Sequence, residues 1–379
     1  LPKFLHTADW QIGRQYTTFP EDDAVPLAEV RVAAVERLAQ LANEHQVDAV
    51  LVAGDVFDLQ TVSERTVRQM FLAMQAYAGP WVLISGNHDA ALAESVWTRA
   101  QRLGVVPAHV HLALSPQPVL LPQAGLAVLP APLTQRHTFE DTTVWFNTAD
   151  TPAGLLRVGL AHGSVQGVLA EDIDSPNPIA PDRAAQARLD YLALGDWHGC
   201  KQIDARTWYS GTPEPDRFKS NDAGLALLVE IQAPGAEPTV TRLPTARHPW
   251  QTLSRELHVA SDLDELIEHL QQLPPRVVLS LTLVGKLDLA GQQRLQAALG
   301  EAGARARHIQ VDMAELQLAP TDDDIAALQA DGYLAELIAE LRDEQQLAPG
   351  QTPQAAQAVS REALGILAGL LAQRQGAKA

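Results

Sequence analysis

A single cysteine, Cys200, occurs among 379 residues, so an internal disulfide is excluded and the chain fits a reducing compartment. A lone thiol reads first as a small packing residue. Basic residues are also scarce: 28 Lys and Arg against 46 Asp and Glu leave a formal net charge of −18. That balance works against a freestanding nucleic-acid binder, because phosphate binding rests on clustered Lys and Arg. It leaves room for an enzyme that holds DNA through one local basic strip, through metal ions, or through a partner. No stretch has the ~18 consecutive apolar residues of a membrane span, and the first residues lack the charged-then-apolar layout of a secretory signal. The expected location is cytoplasmic, with no membrane role. No solenoid-type repeat is present. What remains, 46% hydrophobic content over this length, suffices for a large domain with a sizeable core and one or two smaller ones.

The chain opens with a mostly apolar segment, Lys3 to Ala8, which reads as a first strand and ends at Asp9-Trp10-Gln11. Ala28 to His45 carries Val30, Ala34, Leu38 and Leu41 at helical spacing, and Leu51-Val52-Ala53 follows, stopping on Gly54-Asp55. Such a run reads as a buried parallel strand whose carboxyl end delivers Asp55 into the crevice where open α/β sheets place their chemistry. Glu64 to Tyr77 reads as a second helix, and Trp81 to Ser85 as a third strand running into Gly86-Asn87-His88-Asp89. Shorter strands are expected at Val110 to Leu114 and Gly125 to Leu129, then at Leu155 to Leu160 before His162 and Tyr191 to Leu194 before Asp196 and His198. The Asp- and Pro-rich stretch Asp172 to Pro181 reads as a surface loop. Trp208 to Gly211 and Gly224 to Ile231 look like closing strands. This alternation predicts a layered α/β core flanked by helices, with active residues at strand ends.

Pro, Ala and Gly accumulate around Gln232 to Pro249, which marks a boundary. A small α+β unit is expected beyond it, with strands at Thr252 to Val259, Val277 to Val284 and His308 to Asp312 and helices at Leu263 to Leu273 and Gln292 to Leu299. Two amphipathic helices, Asp322 to Gln345 and Gln354 to Ala372, complete the chain, the first with Thr321 and acidic residues at its N-terminus. The expected division is residues 1–245, 246–318 and 319–379.

Chemistry concentrates where strands end. Asp9 and Gln11 lie two apart, so on an extended strand both would face one ion while Trp10 faces away. Asp55, Asn87, His88, His162, Asp196 and His198 follow other strands. A lone Asp or His after a strand is as easily structural as catalytic. Five such strand ends, rich in oxygen and imidazole donors, point to a site for two metal ions with Asp55 between them.

The segments His6-Thr7-Ala8-Asp9-Trp10-Gln11, Gly54-Asp55-Val56-Phe57-Asp58, Gly86-Asn87-His88-Asp89, Ala161-His162-Gly163 and Gly195-Asp196-Trp197-His198 resemble the calcineurin-like metallophosphoesterases, and within them the SbcD-type nucleases of DNA-repair complexes. The resemblance covers most of the first ~245 residues, in order and spacing. It implies a metal-dependent phosphodiesterase, most simply a DNA exonuclease or endonuclease. One ion would be held by Asp9, Gln11, Asp55 and His198, the other by Asp55, Asn87, His162 and Asp196. The family's usual pattern has histidine at the positions of Gln11 and Asp196. Both changes move the donors from nitrogen to oxygen, weaken the first site, and favour Mn²⁺ or Mg²⁺ over Zn²⁺. His88 is left for transition-state stabilisation or protonation of the leaving oxygen. Asp58 matches the carboxylate that orients the equivalent imidazole in related enzymes.

Other residues carry weaker signals. His6 reads as a hydrogen-bonded structural residue on an opposite-facing strand position, and His109 and His111 have ligand-pair spacing without an acidic neighbour. Trp10 and Trp197 suit packing beneath the site more than stacking on a base. Arg14, Lys201 and Arg217, with Lys219, lie near ligand segments and are candidates for phosphate contacts. Tyr209-Ser210-Gly211-Thr212-Pro213 looks like the segment that closes the phosphoesterase core. The apolar face Val359, Ala363, Ile366, Leu367 and Leu370 suits packing on the chain's own domains or on a partner, and the resemblance implies a partner, an SbcC-type coiled-coil ATPase; a homodimer is a further expectation. Two alternatives stand beside the nuclease: a phosphoesterase acting on nucleotides or small phosphodiesters, and a scaffold whose metal site is impaired by Gln11 and Asp196.

Overall fold

A computed structural model describes residues 2–168, 176–321, 333–346 and 359–371, the last without 361 and 368. Two compact units divide at Pro249, residues 1–249 and 250–379.

The first unit is built on two six-stranded sheets. Strands β1 (Lys3–Thr7), β2 (Ala49–Val52), β3 (Trp81–Leu83) and β4 (Val110–Leu112) run parallel in one sheet. The other contains β5 (Val119–Leu121), β6 (Leu126–Ala131) and β7 (Leu156–His162), β6 and β7 being parallel. A two-stranded ribbon, β8 (Ser164–Val165) with β9 (Pro178–Ile179), follows β7. The second sheet is completed by β10 (Tyr191–Gly195), β11 (Lys201–Gln202) and β12 (Thr207–Tyr209), in the order β11-β12-β10-β7-β6-β5. Strands β13 (Leu225–Glu230) and β14 (Thr239–Pro244) return to the first sheet and extend it antiparallel, giving β14-β13-β1-β2-β3-β4.

Alternation along the strands explains how the sheets stack. Phe4 and Ala8, with Ala49, Leu51 and Ala53, meet Leu126, Val128, Leu156, Val158, Leu160, Tyr191 and Ala193 in one core between the two sheets. The opposite parity of β1 and β2, Leu5, Val50 and Val52, packs instead under helices α1 (Glu21–Glu44), α2 (Glu64–Met74) and α3 (Val96–Arg102). Both faces of β2 are therefore buried, which is why its sequence is a continuous apolar run. Each such fully buried Val or Leu contributes about 1.5–3 kcal/mol of transfer free energy. The outer face of the second sheet, Leu129, Ala161, Leu192 and Leu194, is covered by Phe146, Ile179 and the short helix α4 (Arg183–Gln186). The layered α/β expectation holds, as four layers.

Several expected boundaries shift for identifiable reasons. Helix α1 starts at Glu21 rather than Ala28: Glu21, Asp22 and Asp23 complement its positive end, and Pro26 lies inside it, interrupting the apolar spacing that suggests the later start. Helix α3 has no counterpart among the expected elements, although Ser95 and Thr98 form a capping box at its start. The stretch Gln232 to Pro249, expected as a boundary, contains β14, which pairs with β13 along its whole length. Its side chains are mostly exposed, as suits an edge strand, so no apolar alternation announces it.

The second unit has three parallel strands, β15 (Trp250–Leu257), β16 (Val278–Leu287) and β17 (His308–Leu318), linked through α5 (Ala260–Gln271) and α6 (Leu289–Gly303). Leu253, Leu257, Leu263, Leu266, Leu279, Leu281 and Leu283 form its core. Helix α7 (Tyr333–Gln346) and the helical residues of 359–371 pack Ile338 against Leu364. The remaining parts of the two expected terminal helices, and 172–175 of the Asp- and Pro-rich loop with 169–171 before it, lie outside the described residues. Among the described residues no helix is long and apolar enough to cross a membrane.

Candidate metal centre

The parallel strands of both sheets end at one edge, and the expected ligands gather there. Asp9, Gln11 and Asp55 do not continue their strands. All three have left-handed backbones, φ 53°, 51° and 51°, and Asp196 has φ 103°. The extended-strand argument for Asp9 and Gln11 is therefore replaced by a turn. Such conformations cost on the order of 1–3 kcal/mol each for residues other than glycine and persist only where the surroundings over-determine them. Here the turns hold one another: Asp9 N donates to Gly54 O at 3.0 Å, Gln11 N to Asp55 O at 3.0 Å and Ile12 N to Val56 O at 2.8 Å. His162 differs again, being the last residue of β7 and paired in register with Gly195.

Asp55 is central by geometry. Its Oδ1 accepts from His88 N at 2.9 Å and its Oδ2 from Gln11 Nε2 at 2.8 Å. His162 Nε2 lies 3.3 Å from Asn87 Oδ1, 3.6 Å from Asp55 Oδ1 and 3.7 Å from Asp196 Oδ1, while its Nδ1 meets Ala53 O at 2.8 Å. A carbonyl only accepts, so Nδ1 carries the proton and Nε2 faces the three oxygens. Ligand atoms of Asp9, Asp55 and His162 lie within 4.8 Å of one another, all buried. Asp9 also accepts from Asp196 N at 3.0 Å.

Crowding of carboxylates shows in the acid–base balance. Burial, with Asp55 and Asp196 adding to it against His198 and His162, pushes Asp9 up to about 6. His162 is held up to about 9: burial opposes its charge, but Asp55, Asp196 and Asp9 favour it more. Gln11 Oε1 is buried with no hydrogen-bond partner in the structure. Clustered buried carboxylates, an orphaned amide oxygen and an imidazole aimed at three oxygens fit a divalent cation.

The two remaining histidines have different anchors. His198 Nδ1 lies 3.1 Å from Asp216 Oδ2, a carboxylate behind an imidazole as in many metal sites. Burial pushes the Asp216 carboxyl up, but the hydrogen bond and charge of His198, with Arg217 and Arg31, hold it well below the usual carboxylate range. His88 Nδ1 meets the main-chain carbonyl of Asp58 at 2.9 Å. The expected carboxylate contact is not made: Asp58 Oδ1 instead lies 3.4 Å from Arg14 Nη1.

Of the expected phosphate contacts, Arg14 is shared between Asp58 and Asp216, both at 3.4 Å, and Arg217 forms a two-point pair with Asp216. Lys201 and Lys219 place their ammonium groups 5.5 and 4.3 Å from the Trp197 ring. Trp10 packs in the core beside Trp81. His6 lies between the sheets, bonded to the Tyr191 hydroxyl and Leu194 O, and burial lowers it to about 3. His109 and His111 sit at β4, and no carboxylate cluster includes them among the described residues.

Sequence reasoning misses three supporting residues. Asp216 hides beside Arg217 as one more surface-like charge pair. Asp89 stands out only as part of Gly86-Asn87-His88-Asp89, yet its buried carboxylate accepts from Gly86 N, Val56 N and Phe57 N at 2.7, 2.9 and 3.1 Å and so ties the Asn87 loop to the Asp55 loop. Arg31 is embedded in α1, where a charge among apolar positions is the one visible signal. Close approach also needs glycine: a Cβ at Gly195 would stand 2.0 Å from Ala53 O and 2.9 Å from Ala8 Cβ, both on the facing sheet.

The calcineurin-like phosphoesterase family matches residues 2–180. The SbcD component of the nuclease SbcCD from Rhodobacter capsulatus is 30% identical over 316 residues, covering 70% of this chain and 76% of that protein. The chain therefore belongs to the calcineurin-like metallophosphoesterases, enzymes of phosphoester hydrolysis, with nuclease subunits as its relatives. The SbcD component from Escherichia coli K12 is 37% identical over 254 residues, 57% of this chain and 61% of that protein. The DNA double-strand break repair protein Mre11 of Methanosarcina acetivorans is 24% identical over 292 residues, 73% of this chain and 45% of that protein.

Proposed function

We propose that the chain is the nuclease subunit of a DNA-repair complex, hydrolysing phosphodiester bonds of DNA at the edge where the two sheets end. The observation that carries this reading is the convergence of His162 Nε2 with Asn87, Asp55 and Asp196 oxygens, beside buried Asp9. Relatives named as nuclease subunits and as a double-strand break repair protein favour DNA over a small phosphodiester, and the buried cluster of Asp9, Asp55 and His162 favours an enzyme over a scaffold.

Asp9, Gln11, Asp55 and His198 would hold one divalent ion, and Asp55, Asn87, His162 and Asp196 the other. Bound there, the pair would supply charge for the phosphate oxygens and acidity for the attacking water. The chain's own groups do the rest. Asp58 O accepts from His88 Nδ1, leaving Nε2 as the position from which a protonated His88 hands its proton to the leaving oxygen. His198 Nδ1 lies 3.1 Å from Asp216 Oδ2 and 2.9 Å from Arg217 Nη2, which leaves Nε2 as the nitrogen that would face an ion. Arg14, Lys201 and Arg217 neutralise the flanking phosphates. Oxygen donors at Gln11 and Asp196 favour Mn²⁺, with Mg²⁺ next.

Exposed Val359, Ile366 and Leu370 in the last helical segment, with Tyr333 at the start of α7, offer an apolar surface for an SbcC-type coiled-coil ATPase. Degradation of labelled linear DNA with Mn²⁺, alone and with such an ATPase, tests the reading. Turnover of bis-para-nitrophenyl phosphate without any cleavage of DNA in either case would overturn it in favour of a small-molecule phosphodiesterase.

A further inference from the structure

Arg31 lies on the buried face of α1 next to Val30 and is 1% exposed. A guanidinium at such a position is costly unless every donor is satisfied, and here the acceptors are specific. Nε donates to Trp10 O at 2.7 Å; Nη2 donates to Asp9 O at 3.3 Å and to Thr212 Oγ1 at 2.8 Å. Nη1 donates to the Tyr16 hydroxyl and to Glu214 O, both at 3.1 Å. Every acceptor belongs either to the stretch that carries Asp9 and Gln11 or to the segment Thr212 to Glu214, which leads directly into Asp216.

The Asp9–Gln11 turn needs support of this kind. Two of its residues are left-handed without being glycine. The N–H groups of Asp9 and Gln11 are taken by the Asp55 loop, whereas the carbonyls of Asp9 and Trp10 point to Arg31. On the other side, Thr212 Oγ1 both accepts from Arg31 and donates to Glu214 O, so the segment before Asp216 closes on the same guanidinium.

We propose that Arg31 is a positioning residue for the ion held by Asp9, Gln11, Asp55 and His198: one planar fork fixes the strained turn after β1 and the Asp216 segment after β12, and so sets the affinity for that ion. The inference rests on the metallophosphoesterase reading of the site. A lysine, with three donors on one atom, cannot span these acceptors.

The test titrates chelator-stripped wild type, Arg31→Lys, Arg31→Met and Arg157→Met with Mn²⁺ by calorimetry, and follows thermal unfolding of each. Arg157, half-buried, is the control: its guanidinium also serves acceptors of the chain, Phe146 O, Ala149 O, Ala187 O and the Thr151 hydroxyl, but near the opposite end of β7 from His162. Both Arg31 variants are expected to lose about 10–100-fold in affinity for one of two Mn²⁺ ions, with the other near its wild-type value. Arg157→Met is expected to melt earlier and bind Mn²⁺ as wild type does. Should Arg31→Met not fold, Arg31→Lys carries the test. A folded Arg31→Lys that binds both ions like wild type overturns the proposal, as does an equal loss of affinity in Arg157→Met, which would tie the effect to stability alone. Wild-type protein that takes up no Mn²⁺ would instead overturn the reading of the metal centre.

Discussion

The two sheets bring their ligands to the common edge by different means. The first uses left-handed turns after β1 and β2, so that Asp9, Gln11 and Asp55 owe their positions to hydrogen bonds between loops and to buried anchors, Arg31 and Asp89. The second uses the strand itself for His162, whose backbone lies in the β7–β10 ladder and whose ring is pinned by Ala53 O, while Asp196 and His198 follow β10 in a turn of their own. A ligand held by a ladder inherits the stability of the core, whereas one held by a turn depends on polar partners that a single substitution removes. The candidates in turns, Asp9, Gln11 and Asp55 on the first sheet and Asp196 on the second, should therefore be easier to damage from a distance than His162.

The largest effect should separate chemistry from this framework altogether. His88→Ala is expected to keep Mn²⁺ stoichiometry, measured by calorimetry, and to lower turnover of bis-para-nitrophenyl phosphate by about 10²–10⁴-fold, the range of a positioned acid. Loss of metal in that variant would make His88 part of the framework instead.

Asp89→Asn comes next, because an amide replaces an acceptor with a donor and leaves at least one of Gly86 N, Val56 N and Phe57 N facing it without a partner. A loss of about 10–100-fold in Mn²⁺ affinity is expected, comparable with other changes behind a ligand. Asp216→Asn probes the second sheet's counterpart behind His198 and should cost about tenfold. Wild-type Mn²⁺ affinity in both variants would remove the contrast between candidates held in turns and those held in a ladder.

A smaller change in the opposite sense is expected of Gln11→His, which restores an imidazole: tighter Zn²⁺ relative to Mn²⁺ in competition measured by metal analysis.

The smallest effect concerns stability. Burial raises Glu214 from 4.5 to about 7, against the N–H groups of Arg247 and His248 that it accepts. Because its folded value lies above its unfolded one, its contribution is fully present below pH ~4.5 and is lost as pH rises through ~7. Thermal unfolding of chelator-treated protein should show less decline from pH 5 to pH 8 in Glu214→Gln than in wild type; equal slopes would remove Glu214 as the cause.

Legibility in the sequence follows the physics of each element. Strands β1, β2, β7 and β10 are readable because burial on both faces writes an apolar run. Edge strand β14 is not, because exposed side chains carry no period. Asp55, Asn87, His162, Asp196 and His198 announce themselves by following such runs. Their supports do not: Asp216 and Asp89 act through hydrogen bonds to groups distant in sequence, and a carboxylate beside an arginine looks the same on any surface. Asp58 shows a subtler limit, since the group that meets His88 is a carbonyl that every residue possesses.

Gly195 sets the gap between the two sheets where they deliver their ligands, for want of even one carbon. Any other residue there would wedge Ala53 away from β10 and spread Asp55, His162 and Asp196, which face one another across the edge. In a saturation-mutagenesis survey of this chain, position 195 should tolerate a single letter of the alphabet, with alanine excluded as firmly as tryptophan.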